Sequence, residues 1–342
     1  MVELILEKDW VTDGARYGKA YRDKNTYTTG VIAGHNIVLA YMPSTGSNKA
    51  AAVVNQLQMS FTGVEIIFVV GVCGAAPIHP VTGEEVVQGD CIISRTIIQY
   101  DFGRSGPGGF ERKSDLESFV GTSPMIQGLL AKWSTRKNRQ QLTNRLTQHL
   151  DILTKNNTLI QYPGIERDLL FHPSYIHTHR STSETCDDCS EALGLCNKNC
   201  DTLGCDTESL ITRTRTFGIK PRIHFGRFGS ANIVLKSGLY RDTLSKKDQI
   251  VGFEMEASGV WEAMPTIVIK SVSNYADSHK NKVWQEYAAA SAAAGLKAVL
   301  EKLELQDVSY IANLESPFRT LQSQHGSSQD WGRRGSTVGS EA

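Results

Sequence analysis

Val251–His279, VGFEMEASGVWEAMPTIVIKSVSNYADSH, contains the most informative pattern in the chain. Two acids, Glu254 and Glu256, precede small residues, and a mostly apolar run, Thr266–Val272, ends in the polar cluster Asn274–His279. The pattern predicts the start of a helix, the helix itself, a buried strand and a polar loop. Ligands of open α/β sheets bind outside the carboxyl ends of the strands. We therefore predict that this stretch forms one side of a small-molecule site.

The composition narrows the class of protein. The chain has 342 residues, of which 40% are hydrophobic and 21% charged, and this suits a globular core. Its 36 basic and 36 acidic side chains balance, so charge gives no argument for nucleic acid or an anionic membrane as a partner. No apolar run approaches the roughly 20 residues of a membrane helix, and no signal peptide follows Met1. The expected location is cytoplasmic, with reduced thiols.

Two blocks of sequence, 1–104 and 222–303, show the alternating strand and helix patterns of an α/β domain. Alanine is the strongest helix former, so the Ala-rich run Trp284–Leu303 predicts a helix. The other predicted elements are a helix fragment, a hairpin, a helix and three strands, at Met1–Trp10, Thr28–Tyr41, Ala50–Phe61, Glu65–Val72, Cys91–Ile98 and Arg222–Phe228.

The region between these blocks, about 105–220, is predicted to be an irregular insertion. Its first part, Leu116–Leu153, is polar and helical in pattern, and its second part holds five of the seven cysteines. We expect one domain over 1–305, interrupted by this insertion. The segment 306–342 turns to Ser, Gly, Gln and Arg, so we expect a disordered tail or linker there.

The cysteines of the insertion leave two alternatives open. Cys186 and Cys189 have the C-x2-C spacing of a structural zinc site. The favoured alternative is a loosely ordered insertion with free thiols, and no cofactor is expected. Further donors lie nearby in the sequence, namely Cys196, Cys200 and Cys205 downstream and His172, His177 and His179 upstream.

Three motifs admit both a functional and a structural interpretation. The turn Gly71–Pro77 could present N–H groups to a ligand, or it could simply connect a strand to the next element. Glu254 and Glu256 are two residues apart, so on a helix their side chains would not share a face. One could therefore point into a pocket while the other caps the start of the helix. From the residues alone, the favoured interpretation is that both cap the helix. The loop Asn274–His279 could bind a polar heterocycle or form a strand-end turn, and His279 is expected to be exposed.

Over roughly 26–303 the chain resembles a known family. Six segments carry the resemblance, FVVGVCGAAP, GDCIIS, IIQYDFG, GSANIVLKSG, FEMEASG and SVSNYADSHKNKVWQEYAAA, in the order found in fungal nucleoside phosphorylase-like domain proteins. The chain is identified as a member of the nucleoside phosphorylase/nucleosidase superfamily. The resemblance implies a three-layer α/β/α sandwich with a mixed central sheet. It also implies that the family's first strand is lacking, because Met1–Trp10 matches the helix that follows that strand.

The resemblance implies a purine nucleoside as ligand. Members of the superfamily cleave the N-glycosidic bond of nucleosides, with phosphate or water as the attacking group. Glu256 matches the carboxylate that binds the ribose hydroxyls, and Asn274 matches the residue at the purine N7 position. Asp277, three residues on, is a candidate substitute acid. The other residues that match substrate-binding positions are Cys73, Gly74, Val234, Leu235, Phe253 and Met255.

Two departures from the family pattern shape the expected chemistry. The hydrolases usually carry an aspartic acid at the position of Asn274, and an amide can donate a hydrogen bond to N7 but cannot transfer a proton. Losing general acid catalysis costs about 10²–10⁴-fold in rate. The Arg and Ser that bind phosphate in phosphorylases correspond here to Val69 and Val72, so water is the expected nucleophile.

The expected function is therefore hydrolysis of a purine nucleoside. Two alternatives stay open, a catalytically weak nucleoside-sensing domain of a receptor-like protein and a truncated, inactive homologue. Whether the chain is an enzyme is left open by the substitution at Asn274. A homo-oligomer is an expectation from the resemblance alone.

Overall fold

The computed structural model describes residues 1–12, 17–113, 119–120, 123–178, 189–190, 195–196, 198–215 and 220–304. The helices are α1 (Ser47–Ser60), α2 (Pro124–Ser134), α3 (Arg136–Asn156), α4 (Cys200–Leu203), α5 (Gly238–Asp248), α6 (Ala257–Val260) and α7 (Gln285–Leu300). The strands are β1 (Lys8–Asp9), β2 (Tyr27–Ile32), β3 (His35–Ala40), β4 (Ile67–Ala75), β5 (Cys91–Gln99), β6 (Gly103–Gly106), β7 (Gly109–Arg112), β8 (Phe119–Val120), β9 (Cys189–Ser190), β10 (Leu195–Cys196), β11 (Ile223–Ser230), β12 (Ile250–Glu254) and β13 (Thr266–Asn274).

The central sheet is mixed and closes on itself. Its strand order is β11–β12–β4–β13–β5–β8, and β11 also pairs with β5. The pairs β4–β13, β5–β11 and β11–β12 are parallel, whereas β12–β4 and β13–β5 are antiparallel. One side of β4 pairs with β13 along most of its length. On the opposite side, the described strand that pairs with β4 is β12, and this pairing involves only Gly74 and Ala75 of β4. The predicted mixed sheet is confirmed.

Helices cover both faces of this sheet. On one face, α3 and α7 pack through a core that includes Leu142, Leu146 and Val299. On the other face, α1 and α6 pack together, with Ala50 and Val260 in their shared cluster. These layers confirm the predicted three-layer α/β/α arrangement. None of the helices within the described ranges is long and apolar enough to cross a membrane.

The first residues form an edge strand rather than a helix. The segment Met1–Trp10 contains one 3-10 turn, Val2–Ile5, and then β1, which pairs antiparallel with β2. The predicted helix fragment is therefore wrong, because pairing with a distant strand satisfies this backbone. The predicted hairpin is confirmed. β2 and β3 are joined at Ala33 and Gly34, whose φ values of 51° and 80° suit a two-residue hairpin turn.

The stretch singled out first begins with a strand. The helix predicted from Val251 is wrong at its start, since the chain forms β12 there and only the single turn α6 is helical. Every residue of β12 is buried between β11 and β4, so pairing outweighs the local pattern. The buried strand predicted at Thr266–Val272 is confirmed as β13, which extends to Asn274.

The region 105–220 is more regular than predicted. Its helices α2 and α3 belong to the core, because Leu142, Leu146 and Leu150 recur at helical spacing and are buried. The helical pattern predicted for Leu116–Leu153 is confirmed over most of its length, whereas the packing of these helices in the core was not predicted. The polar face of α3 concealed this apolar stripe in the sequence. The tail expected at 306–342 lies outside the described residues.

Candidate active site

A cleft opens where β4, β12 and β13 end. Six of the residues predicted for the site line it, namely Gly74, Val234, Leu235, Phe253, Met255 and Asn274. The remaining lining residues are Tyr100, Ile233, Glu254, Ala276 and Lys280. The structure therefore brings together residues that are up to 206 positions apart in the sequence, counted from Gly74 to Lys280.

One side of the cleft is apolar. The rings of Tyr100 and Phe253 meet edge to face with their centroids 6.2 Å apart. Leu235 is buried in the same cluster, whereas Val234 is 52% exposed at the rim. Asn232, just before them, accepts a hydrogen bond at Oδ1 from the backbone N–H of Ser47 (2.9 Å) at the start of α1. This bond fixes the segment that carries the apolar residues.

The amide of Asn274 is held in one orientation at the end of β13. Its Oδ1 accepts a hydrogen bond from the backbone N–H of Ala276 (3.0 Å), and its Nδ2 donates to Ser273 Oγ (3.0 Å). Because only the oxygen can accept from an N–H, these bonds assign the two ends of the amide. A Cβ atom on Gly74 would lie 3.0 Å from this Oδ1 and 2.9 Å from Ala276 Cβ. Glycine is therefore needed at position 74.

The two acids of the FEMEA segment have different environments. Glu254 lines the cleft, and its carboxylate accepts hydrogen bonds from the backbone N–H groups of Glu256 and Ala257, which begin α6. The carboxylate of Glu256 instead binds Lys270, with 2.9 Å between Oε2 and Nζ. Capping of the helix by both acids is therefore wrong for Glu256. Glu256 is not among the residues that line the cleft.

Lys270 shifts the ionisation of both acids. Burial raises the pKa of Glu254, although the ammonium of Lys270, 3.9 Å away, opposes that shift. Burial also disfavours the charged form of Glu256, but the closer ammonium outweighs it and holds the pKa of Glu256 below its ordinary value. The negative charge of the pair therefore resides mainly on Glu256.

Asp277 and Cys73 lie beside the cleft but are not among its lining residues. Asp277 accepts a hydrogen bond from the backbone N–H of His279 (3.0 Å), and its Oδ2 lies 3.7 Å from Nη1 of Arg241 on α5. Burial raises the pKa of Asp277, partly offset by Arg241. Cys73 is buried in β4, and burial raises the pKa of its thiol to about 12.

Sequence reasoning missed two lysines near the site. Lys280 lines the cleft, and burial, followed by the nearby charge of Lys236, lowers its pKa. Lys270 interrupts the apolar run Thr266–Val272, and this was a usable signal. A lysine in a strand buried on both faces requires an acidic partner, because an unpaired buried charge is very costly.

The possible metal ligands differ from the predicted ones. Cys186 lies outside the described residues, and for Cys189 the structure describes the backbone alone. His279, predicted to be exposed, is 6% exposed and stacks on the ring of Phe171 with their centroids 3.9 Å apart. The prediction is wrong because the insertion supplies an aromatic surface that covers this loop. In the part of the chain that the structure describes, the group that could hold a metal is His177, Cys200, Cys205 and His279.

Sequence comparison relates the chain to a superfamily and to a longer protein. The model of the phosphorylase superfamily matches residues 2–144. A nucleotide-binding leucine-rich repeat (NLR)-like protein of Hyaloscypha variabilis is 29% identical over 285 residues, which cover 81% of this chain. The match covers 26% of that protein, so this chain spans about a quarter of the length of its curated relative.

Solved structures share the fold at low sequence identity. A 5'-methylthioadenosine/S-adenosylhomocysteine nucleosidase of Neisseria meningitidis has a TM-score of 0.50 and 12% identity, covering 88% of this chain and 93% of its own. The corresponding nucleosidase of S. pneumoniae has a TM-score of 0.50 and 15% identity, with the same coverages of 88% and 93%. The chain therefore has the fold of these nucleosidases, and its residues 2–144 match the model of the phosphorylase superfamily.

Proposed function

We propose that this chain hydrolyses the N-glycosidic bond of a purine nucleoside in the cleft. The observation that carries the proposal is the pairing of an apolar side, formed by Tyr100, Leu235 and Phe253, with the oriented amide of Asn274 at a strand end. Apolar slots with a few converging polar groups are typical of sites for small heterocyclic ligands. The base would lie against the apolar side, with its polar edge at the amide.

Structural neighbours support nucleoside chemistry. The structure of the Neisseria meningitidis nucleosidase is a complex with methylthio-immucillin-A, and that of the S. pneumoniae nucleosidase holds a transition-state inhibitor, MT-ImmA. Both are nucleosidases, so their fold is compatible with water as the attacking group.

Asn274 is proposed to contact N7 of the purine. Its amide nitrogen carries two hydrogens, and one of them is used in the bond to Ser273 Oγ. The other can be donated to a ligand. A donor at N7 stabilises the negative charge that develops on the leaving base as the bond from C1' to the base nitrogen breaks. Because an amide cannot give up this proton, the base must obtain its proton from water.

Glu256 is proposed to bind the ribose hydroxyls. Its side chain is 14% exposed and follows directly after Met255, which lines the cleft. Lys270 keeps the carboxylate ionised, and an ionised carboxylate has about four acceptor sites. The ion pair therefore leaves acceptor capacity for two hydroxyl groups. Binding of the ribose there requires a small shift of the side chain toward the cleft.

Water is the proposed nucleophile. Val69 and Val72, at the positions of the phosphate-binding residues of phosphorylases, have no polar atoms that could bind phosphate. Lys270 is engaged by two acids, which leaves Lys280 as the cation that lines the cleft. A phosphorylase that used Lys280 would require phosphate for turnover, so the phosphate dependence of the reaction tests this part of the proposal.

The experiment is an assay of base release by the full chain. Inosine, guanosine and adenosine are incubated with the protein, with and without phosphate, and the products are separated by chromatography. We expect base release without phosphate, and a loss of about 10²–10³-fold in rate for Asn274→Ala, since one donor to the leaving group is removed. The matched control, Asn144→Ala on the exposed surface of α3, should retain full activity. A folded wild-type chain that releases no base from any of them excludes the proposal.

A second candidate is a nucleoside-sensing domain without significant turnover. It is favoured by the similarity to the much longer NLR-like protein, in which a domain of this kind would be one part of a larger chain. A sensing domain also needs no general acid at position 274, because it does not cleave its ligand. Calorimetry separates the two, because a sensor binds a purine nucleoside with measurable heat while the ligand is recovered intact. Absence of binding to all three nucleosides excludes both candidates.

A further inference from the structure

Two histidines and two cysteines converge outside the cleft. The donor atoms of His177, Cys200, Cys205 and His279 all lie within 4.8 Å of one another. Nδ1 of His177 is 3.2 Å from Sγ of Cys205 and 3.8 Å from Sγ of Cys200, and Sγ of Cys200 is 3.6 Å from Nδ1 of His279. Both cysteines carry thiols rather than a disulfide.

We propose that these four side chains bind one structural zinc ion, each through a single nitrogen or sulfur atom. Two thiolates and two imidazoles form a common donor set of structural zinc sites. Bond lengths of about 2.3 Å to sulfur and about 2.0–2.1 Å to nitrogen place the donors of a tetrahedron roughly 3.3–3.8 Å apart. The three separations found here, 3.2, 3.6 and 3.8 Å, lie at or close to that range. Thiolate donors favour zinc over magnesium or calcium.

Backbone carbonyls orient both imidazoles for metal binding. Nε2 of His177 lies 2.7 Å from the carbonyl oxygen of Lys198, and Nε2 of His279 lies 3.0 Å from that of Tyr175. A carbonyl oxygen can only accept, so Nε2 carries the hydrogen in both rings. The lone pair of each Nδ1 is then directed at the sulfur atoms. Histidines that bind zinc are usually held in this way through their other ring nitrogen.

The surroundings are those of a closed site. His177 and His279 are 3% and 6% exposed, and the rings of Phe171 and Tyr175 stack on His279 at centroid distances of 3.9 and 5.4 Å. Four protein ligands fill the coordination sphere of zinc and leave no position for a reacting water. We therefore assign the ion a structural role.

The site joins the insertion to the loop that follows β13. Cys200 and Cys205 lie in and just after α4, and His177 precedes them in the insertion, whereas His279 lies in the loop that follows Asn274, the last residue of β13. A hydrogen bond from the backbone N–H of His177 to Ser278 Oγ (2.9 Å) connects the same two segments. A bound zinc ion would therefore hold the insertion against the loop that follows β13, next to the candidate active site.

Metal analysis of the full chain tests this proposal. The protein is reconstituted with zinc, separated from unbound metal and analysed for zinc per chain. We expect one zinc in the wild type and a small fraction of one in Cys205→Ser. The matched control is the double variant Cys186→Ser/Cys189→Ser, which removes the pair with the conventional spacing and should retain one zinc. Loss of zinc in that control but not in Cys205→Ser overturns the proposal, as does a wild type that retains no zinc.

Cobalt substitution keeps the test decisive if Cys205→Ser does not fold. Cobalt bound to two thiolates and two imidazoles gives strong tetrahedral d–d bands and thiolate charge-transfer bands. We expect these bands in the wild-type chain and, unchanged, in Cys186→Ser/Cys189→Ser. Weak octahedral bands without thiolate charge transfer in the wild type would overturn the assignment. Circular dichroism of each variant establishes that the chain is folded before its metal content is compared.

Discussion

Nζ of Lys270 lies 2.9 Å from Oε2 of Glu256 and 3.9 Å from Oε2 of Glu254, so one buried cation serves two carboxylates. The lysine is in the middle of β13, and the acids end β12 and begin α6. Removing one member of a buried charge network leaves the others without compensation, which typically costs about 3–5 kcal/mol. The network therefore holds the strand ends at the cleft in place.

Substitution Lys270→Met should lower the free energy of unfolding by about 3–5 kcal/mol, because the ionised carboxylate of Glu256 loses its buried counter-ion. Urea denaturation measures the change. The control is Lys132→Met, whose partner Glu304 forms an exposed pair, and it should change stability by less than about 1 kcal/mol. Equal stability losses in the two variants would contradict the assigned role of Lys270.

Substitution Asn274→Asp should raise the rate of nucleoside hydrolysis. A carboxyl group can transfer a proton to the leaving base, which is worth about 10²–10⁴-fold, and burial favours its protonated form. The bond from the Ala276 N–H is retained by the new side chain. Steady-state kinetics with the preferred nucleoside measure the gain, and Asn144→Asp is the surface control. A folded variant with an unchanged rate would show that proton transfer does not limit the reaction.

Stability should depend on pH through His224. This side chain is buried, and its Nε2 lies 2.9 Å from Oδ2 of Asp90. Burial lowers the pKa of His224, but its hydrogen bond to Asp90 and the carboxylate of Glu84, 3.6 Å from Nδ1, outweigh burial and raise it. Its contribution to stability is therefore fully present below the unfolded pKa of about 6.5 and is lost as the pH rises through the raised folded value.

Urea denaturation across a pH series tests this dependence. The stability difference between the wild type and His224→Gln should be largest below about pH 6.5 and should shrink at higher pH. The control is His172→Gln, since His172 is exposed, and its profile should follow the wild type. A difference that grows with rising pH would mean that His224 is neutral in the folded protein.

Two glycine substitutions should have opposite effects. A Cβ atom on Gly259 would lie 1.9 Å from the carbonyl oxygen of Ser47, where α6 approaches α1, so Gly259→Ala should destabilise the fold by at least about 1–3 kcal/mol. Gly128 in α2 is exposed and has no atom within 4 Å of a Cβ position, so Gly128→Ala should stabilise by about 0.5–1 kcal/mol. Thermal and urea unfolding measure both, and a stability that Gly259→Ala leaves unchanged or raises would contradict the packing of α1 on α6.

Local sequence patterns correctly predicted the elements for which local propensity and tertiary packing favour the same conformation. The alanine-rich sequence of α7 and the hairpin of β2 and β3 are examples, because helix propensity and turn chemistry act within a few residues. β1 and β12 were missed for the opposite reason. Each is stabilised by pairing with strands far away in the sequence, which no window of neighbouring residues reveals.

The site was predictable where motifs place side chains at strand ends, as with Gly74, Phe253 and Asn274. Its charges were not predictable, because the partner of Glu256 depends on how β12 and β13 pair with opposite sides of β4. The proposed zinc ligands show the same limit. Spacing rules find cysteine pairs such as Cys186 and Cys189, whereas Cys200 meets a histidine 79 residues away.

The central claim is that water cleaves the glycosidic bond of a purine nucleoside in the cleft. The most direct measurement is mass spectrometry of the sugar product, formed by the full chain in ¹⁸O-labelled water with phosphate present. The account predicts free base together with ribose that carries one ¹⁸O atom at C1', and no ribose 1-phosphate, with this product lost in Asn274→Ala. Formation of ribose 1-phosphate, or the absence of any free base, would contradict it.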